Sequence, residues 1–199
     1  MLIGRRPLPG HQTLITPEGA ASTLEVTTRT GPPQGFPDVV HLTTKAYAAE
    51  AAYAALAGHL PAHTPLVLWQ NGFHAQPRLS ARHPGPVLCA TTTEGAYVEA
   101  DDRVVHAGHG DTAIGCLDGG HTVLAESLAG LLSDAGLPTR AVSDIRQRLW
   151  QKLAVNAAIN PLVARYRIRN GELRDAPYRA EVETIITEVA EVMEAEGIA

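Results

Sequence analysis

The sequence predicts an α/β chain with a helical end, and three observations carry that expectation. A wholly apolar run at 65–69, and a run at 87–92 that is apolar up to Thr91, have the character of central parallel strands covered on both faces. Segments of helical spacing, at 46–60 and 122–135, alternate with such runs, as in a sheet layered with helices. Beyond residue 142 the strand pattern ends, and two long helical segments take the remainder. The expected division is therefore a sheet domain at 1–142 and a helical domain at 143–199.

Composition narrows the function classes. Of 199 residues 45% are hydrophobic and 19% charged, the balance of a soluble globular protein with a sizeable core. A net charge of -5 argues against a nucleic-acid surface. No apolar run approaches the roughly 18 residues of a membrane span. The opening MLIGRRPLPG lacks the apolar core of a signal peptide. Cys89 and Cys116 both sit in apolar, strand-like contexts and read as buried thiols in a reducing compartment, so the expected location is cytoplasmic. The chain shows no internal repeat and no low-complexity linker.

Taken in order, Met1 to Ile3 read as the end of a strand, followed by a loop with Arg5 and Arg6, which on a loop are ordinarily solvated. Residues 12–17 and 23–29 read as short strands around Glu18-Gly19, and Gly31-Pro32-Pro33 ends that pair. Residues 38–44 form a strand leading to Lys45 and an Ala-rich helix at 46–60. The run 65–69 is followed at once by Asn71-Gly72, an ordinary turn signal. In the run 87–92, Thr91 and Thr92 lead through Thr93 towards Ala96. Residues 103–107 and 112–116 read as a hairpin around His109-Gly110. His106 and His109 lack a nearby third ligand in sequence, so no metal is expected. Leu124, Leu128, Leu131 and Leu132 line one side of the 122–135 helix, which Gly136 stops. A short strand at 139–142 follows.

The next segment, SDIRQRLWQKLAVNAAINPLVARYRIRN from Ser143 to Asn170, organises the rest. On a helix Lys152, Asn156 and Asn160 fall at i, i+4 and i+8 and share one face. Their neighbours are mostly apolar, so the helix should be packed on most sides. Asn is a poor mid-helix residue because its amide competes for backbone groups. The stripe is either solvated and bonded to neighbouring elements, or it faces a ligand cavity. Ser143 or Asp144 can cap the start, with Gln147 in a capping-box-like position. Pro161 disfavours helical geometry at Asn160 and predicts a kink. Asn170-Gly171 reads as a turn. Val182, Ile185, Ile186, Val189, Val192 and Met193 then mark the 176–197 segment as a packing helix.

The run LWQKLAVNAAINPL with NGEL downstream resembles the signature of the ketopantoate reductases, and TTKAY at 43–47, QNG at 70–72 and ATTTEGA at 90–96 extend the similarity in the family's order. The resemblance implies a Rossmann-like parallel sheet followed by an all-α domain, and NADPH-dependent reduction of ketopantoate to pantoate in pantothenate synthesis. It gives Lys152 the catalytic role of donating a proton to, or stabilising, the developing alkoxide. Asn71, Asn156, Asn160 and Asn170 would hold the substrate together with Lys152. Arg5, with Arg6 as the alternative, would take the 2′-phosphate of NADPH, and Lys45, Asn71 and Ala96 would contact the cofactor.

The sequence departs from the family in one respect. The G-x-G-x-x-G fingerprint that lets a pyrophosphate approach a helix N-terminus occurs nowhere in it. Relative to the family the chain starts late and stops before several further helices, so the expected Rossmann-like domain is incomplete and only the first helices of the α domain follow. Two other readings stay open: a non-catalytic remnant, or a reductase of another 2-oxo acid. Loss of central strands would expose sheet edge and apolar surface, which predicts self-association as a homo-oligomer.

Overall fold

The computed structural model describes residues 1–198. The strands are β1 (Leu2–Ile3), β2 (His11–Ile15), β3 (Ala21–Glu25), β4 (Thr28–Arg29), β5 (Val40–Leu42), β6 (Leu66–Leu68), β7 (Val87–Thr92), β8 (Gly95–Ala100), β9 (Arg103–Gly108), β10 (Thr112–Gly115) and β11 (Thr139–Ala141). The helices are α1 (Ala46–Ala57), α2 (Ala75–Arg82), α3 (Thr122–Asp134), α4 (Ile145–Tyr166) and α5 (Arg179–Ala195), with a 3-10 turn at Asn170–Arg174.

A five-stranded sheet in the order β11-β10-β7-β6-β5 forms the centre, with β5, β6 and β7 parallel. Strand side chains alternate between faces, and here both faces are covered. Leu66, Leu68, Val87 and Cys89 meet Ala49 and Tyr53 of α1, Leu79 of α2, and Ile145 and Leu149 of α4. Val67, Leu88, Ala90 and Ile114 meet Ala125, Leu128 and Ala129 of α3 on the other side. Continuous burial explains why these strands read as unbroken apolar runs.

A second sheet, β3-β2-β9-β8, is far more exposed, with Leu24, Tyr97 and Val98 open to solvent. The hairpin expected at 103–116 does not form. Strand β9 lies between β2 and β8, whereas β10 crosses into the central sheet between β7 and β11. Burial decides the matter: every residue of β10 is buried, whereas β9 is half-exposed. Strand β1 exists as expected but pairs with β4 in a separate two-stranded ladder.

Helix α4 runs through Pro161, so Asn160 keeps helical geometry. Its N-cap is Asp144, as anticipated, yet no side-chain capping bond forms there, and the Asp144 carboxylate accepts from Arg148 Nε at 2.8 Å. Packing is densest near the start, where Ile145, Leu149 and Trp150 are buried, and continues on one side at Ala158 and Leu162, while Val155 is 53% exposed. At about 1.5 Å per residue, 22 residues outreach the sheet, and the far half packs on α5 instead. No helix among the described residues is long and apolar enough to cross a membrane.

Candidate active site at the carboxyl ends of the parallel strands

Parallel strands place all their carboxyl ends on one edge of the sheet, where open α/β folds bind ligands. The loops after β6 and β7 and the second turn of α4 enclose a cavity of about 200 Å3 there, lined by Trp69, Gln70, Asn71, Gly72, Ala90, Thr91, Thr92, Glu94, Leu149 and Lys152.

Lys152 is the cation of this cavity. Its Nζ donates to the carbonyl oxygen of Thr92, across from α4 to the end of β7. Partial burial lowers its pKa, because the charged form loses hydration and no carboxylate among the described residues is bonded to replace it. Thr92 is itself fixed: its Oγ1 pairs with Thr112 Oγ1 at 2.8 Å and accepts from the Glu94 backbone N–H at 3.1 Å.

The Asn71-Gly72 turn is held from behind. Gly72 has φ +87°, a conformation that a residue with a Cβ adopts only under strain. Gln76, fully buried on α2, donates through Nε2 to the carbonyls of Gln70 at 2.7 Å and Gly72 at 3.0 Å. Gln70 in turn donates to the Leu42 and Thr44 carbonyls at 2.8 and 3.1 Å, tying the end of β6 to the end of β5. The oxygens Gln70 Oε1 and Thr44 Oγ1 are buried without a hydrogen-bond partner. Acceptor capacity is thus left unused beside the cavity. Trp69 completes this wall, its Nε1 donating to His41 Nδ1 at 3.1 Å.

Glu94, which also lines the cavity, adds an acidic residue to its wall. It is bonded to His106 Nε2 at 2.6 Å, and that bond is the main reason its pKa is lowered, although burial opposes the shift. The carboxylate is therefore ionised, and its charge is shared with His106.

Of the residues anticipated from sequence, Lys152 and Asn71 line the cavity. Asn156, half-buried, lies one step beyond Lys152 along α4, and exposed Asn160 one step further. Asn170 is exposed at the start of the 3-10 turn. Lys45 is the exposed N-cap of α1, at the carboxyl end of β5. Ala96 is exposed on β8, outside the cavity wall. Arg5 is exposed in the loop after β1, whereas the guanidinium of Arg6 is taken up by Asp101. The stripe thus divides, its first member facing the cavity and the others following α4 away from the sheet. Sequence reasoning did not single out Gln76, Trp69 or Glu94. A buried glutamine in the first turn of α2 leaves no pattern in sequence, but Glu94 stood inside the ATTTEGA run.

The family description "Ketopantoate reductase PanE/ApbA" matches residues 9–119, and its C-terminal counterpart matches residues 144–199. A 2-dehydropantoate 2-reductase of Vibrio cholerae is 37% identical over 162 residues, which are 81% of this chain and 54% of that protein. Among solved structures, a 2-dehydropantoate 2-reductase from Geobacter metallireducens superposes with a TM-score of 0.81 at 24% identity, covering 94% of this chain and 64% of the other. A D-mandelate dehydrogenase solved with NADH and anilino(oxo)acetate gives a TM-score of 0.85 at 22% identity, over 94% of this chain and 61% of the other. The chain therefore spans little more than half the length of such relatives. With both family regions matched in order, and with Lys152 set against the end of β7, the chain belongs to the ketopantoate reductase PanE/ApbA family.

Proposed function

We propose that this chain carries the sheet edge and the lysine of an NADPH-dependent 2-oxo acid reductase, with ketopantoate as substrate and pantoate as product. The observation that carries the reading is Lys152, a half-buried ammonium lining a small polar cavity, with no carboxylate among the described residues bonded to it. A cavity of about 200 Å3 suits a small acid rather than a polymer. The bound nicotinamide would supply the hydride.

The protein's own groups account for the remaining steps. Lys152 stabilises negative charge growing on the substrate oxygen and delivers a proton to it from Nζ, and a lowered pKa makes that transfer easier near neutral pH. Asn71 orients the reacting end from the opposite wall. Asn156, Asn160 and Asn170 would hold the substrate's hydroxyl and carboxylate oxygens, fixing geometry rather than moving protons.

The residues present fit the nicotinamide end of a dinucleotide. Gln70 Oε1 and Thr44 Oγ1 offer buried, unused acceptors at the ends of β5 and β6, where Lys45 and Asn71 also lie. Arg5, free of the Asp101 bond that holds Arg6, would take the 2′-phosphate, and Ala96 would touch the cofactor through its backbone. In this reading residues 1–142 are the cofactor-binding part and 143–199 the start of the substrate part. The open edge of β5 and exposed Ile186 and Val192 of α5 support self-association.

The test is loss of NADPH absorbance when ketopantoate is added, with Lys152→Ala as control. Turnover in the parent and its collapse in the variant are expected. Equal turnover in the two would overturn the role given to Lys152. The likeness to a D-mandelate dehydrogenase, and Trp69 in the cavity wall, favour an aryl 2-oxo acid as the second reading. Phenylglyoxylate turned over faster than ketopantoate would select it.

A further inference from the structure

Residues far apart in sequence form a cluster outside the Lys152 cavity. Glu94 at the start of β8, His106 in β9 and His109 in the β9–β10 connection each offer one donor atom, and these atoms lie within 4.8 Å of one another. Glu18, from the turn between β2 and β3, adds a second carboxylate 3.0 Å from His109 Nε2. In sequence the two histidines lacked a third ligand. The fold supplies it.

The backbone holds this cluster in place. Gly110 lies so close to the Thr93–Glu94 peptide that a Cβ there would stand 2.4 Å from the Thr93 carbonyl carbon. Thr93 N–H donates to the Asp111 carbonyl at 2.9 Å, and the Asp111 N–H donates to Thr93 Oγ1 at 2.8 Å. The loop that bears His109 is thus clamped onto the strand that bears Glu94, and the two imidazoles meet edge to face at 5.1 Å between ring centroids.

We propose that Glu94, His106 and His109 form a binding site for a divalent transition-metal ion of the zinc class, with Glu18 as fourth ligand or as the carboxylate that orients His109. Two neutral imidazoles and two carboxylates carry a charge that a dication cancels, and nitrogen and carboxylate donors suit zinc. Zinc–donor bonds of about 2.1 Å require donors about 3.4 Å apart, so a small contraction of the cluster closes the shell. The metal would take the Nε2 position that His106 now directs at Glu94 and at the Gly108 carbonyl at 3.1 Å, the ring proton moving to Nδ1 so that the imidazole stays neutral. Glu94 also lines the Lys152 cavity, so the ion would sit next to that cavity's wall.

The experiment is titration of zinc chloride into chelator-treated protein by calorimetry, with cobalt(II) as a visible-absorption probe. One equivalent per chain, the intense d–d band of four-coordinate cobalt and a rise in Tm with zinc are expected. His109→Ala and Glu94→Gln should each weaken binding by at least about tenfold and abolish the Tm rise. His109 is exposed, so its substitution leaves the fold intact, which circular dichroism verifies. His11→Ala, at a surface pair with Asp102, should bind as the parent does. Absence of a one-equivalent site, or unchanged affinity in His109→Ala, would overturn the proposal.

Discussion

Gln76→Met separates the architecture of the cavity from its chemistry. Gln76 is fully buried, and its Nε2 serves two carbonyls, those of Gln70 and Gly72. Both partners are acceptors, so the amide nitrogen must face them. Methionine fills a similar volume and donates nothing. Losing two neutral bonds while leaving their carbonyls buried costs about 2 to 4 kcal/mol. One compensation exists, since Gln76 Oε1 is itself buried without a partner, and removing it returns about 1 kcal/mol. The net expectation is a loss of about 1 to 3 kcal/mol. With a urea m-value near 2 kcal/mol/M, the unfolding midpoint should fall by roughly 0.5 to 1.5 M at unchanged slope. Gln76→Glu should fall further, because its carboxylate would face two carbonyl oxygens. A Gln76→Met midpoint equal to that of the parent would refute the claim that this amide holds the Asn71-Gly72 turn.

Other expectations concern single groups. Leu88→Ala, at a position with no exposure between the sheet and α3, should cost about 2 to 5 kcal/mol in denaturant unfolding. Tyr53→Phe removes the bond from the buried hydroxyl to His83 Nδ1 at 3.1 Å and should cost about 1 kcal/mol by the same assay. Cys89, whose thiol burial pushes up to about 12, should resist iodoacetamide in the folded protein at neutral pH while Cys116 labels first, as mass spectrometry can follow. For Lys152 the folded pKa lies below its unfolded value of 10.5, so the unfolded chain binds more protons between the two. Stability should therefore rise with pH through that window, and Lys152→Met should flatten the rise.

How far the sequence was legible follows from where its signals were local. The runs at 65–69 and 87–92 could be read as central strands because burial on both faces leaves 65–69 and 87–90 without a polar residue, Thr91 and Thr92 entering only at the cavity end. Lys152 could be read as a site residue because a cation among apolar neighbours on a helix demands a partner, and the partner is the Thr92 carbonyl. The hairpin at 103–116 could not be corrected from sequence. His109-Gly110 has the character of a tight turn, and only the competition between two sheets for β10 sends the strand elsewhere.

That same crossover explains the rest of what sequence hid. Had β9 and β10 formed a hairpin, the loop bearing His109 would have projected from a single sheet. Because β10 instead crosses into the central sheet, the loop is drawn back over Thr93, and Gly110 lets the two backbones touch. Glu94 then sits between two groups of residues, facing Lys152's cavity on one side and two imidazoles on the other. Its position is set by the bonds between Thr93 and Asp111, where the chain passes between the two sheets, an interaction with no period along the chain. Reading the helix and the apolar strands located the lysine, but only the meeting of the two sheets could show that Glu94, His106 and His109 come together beside its cavity.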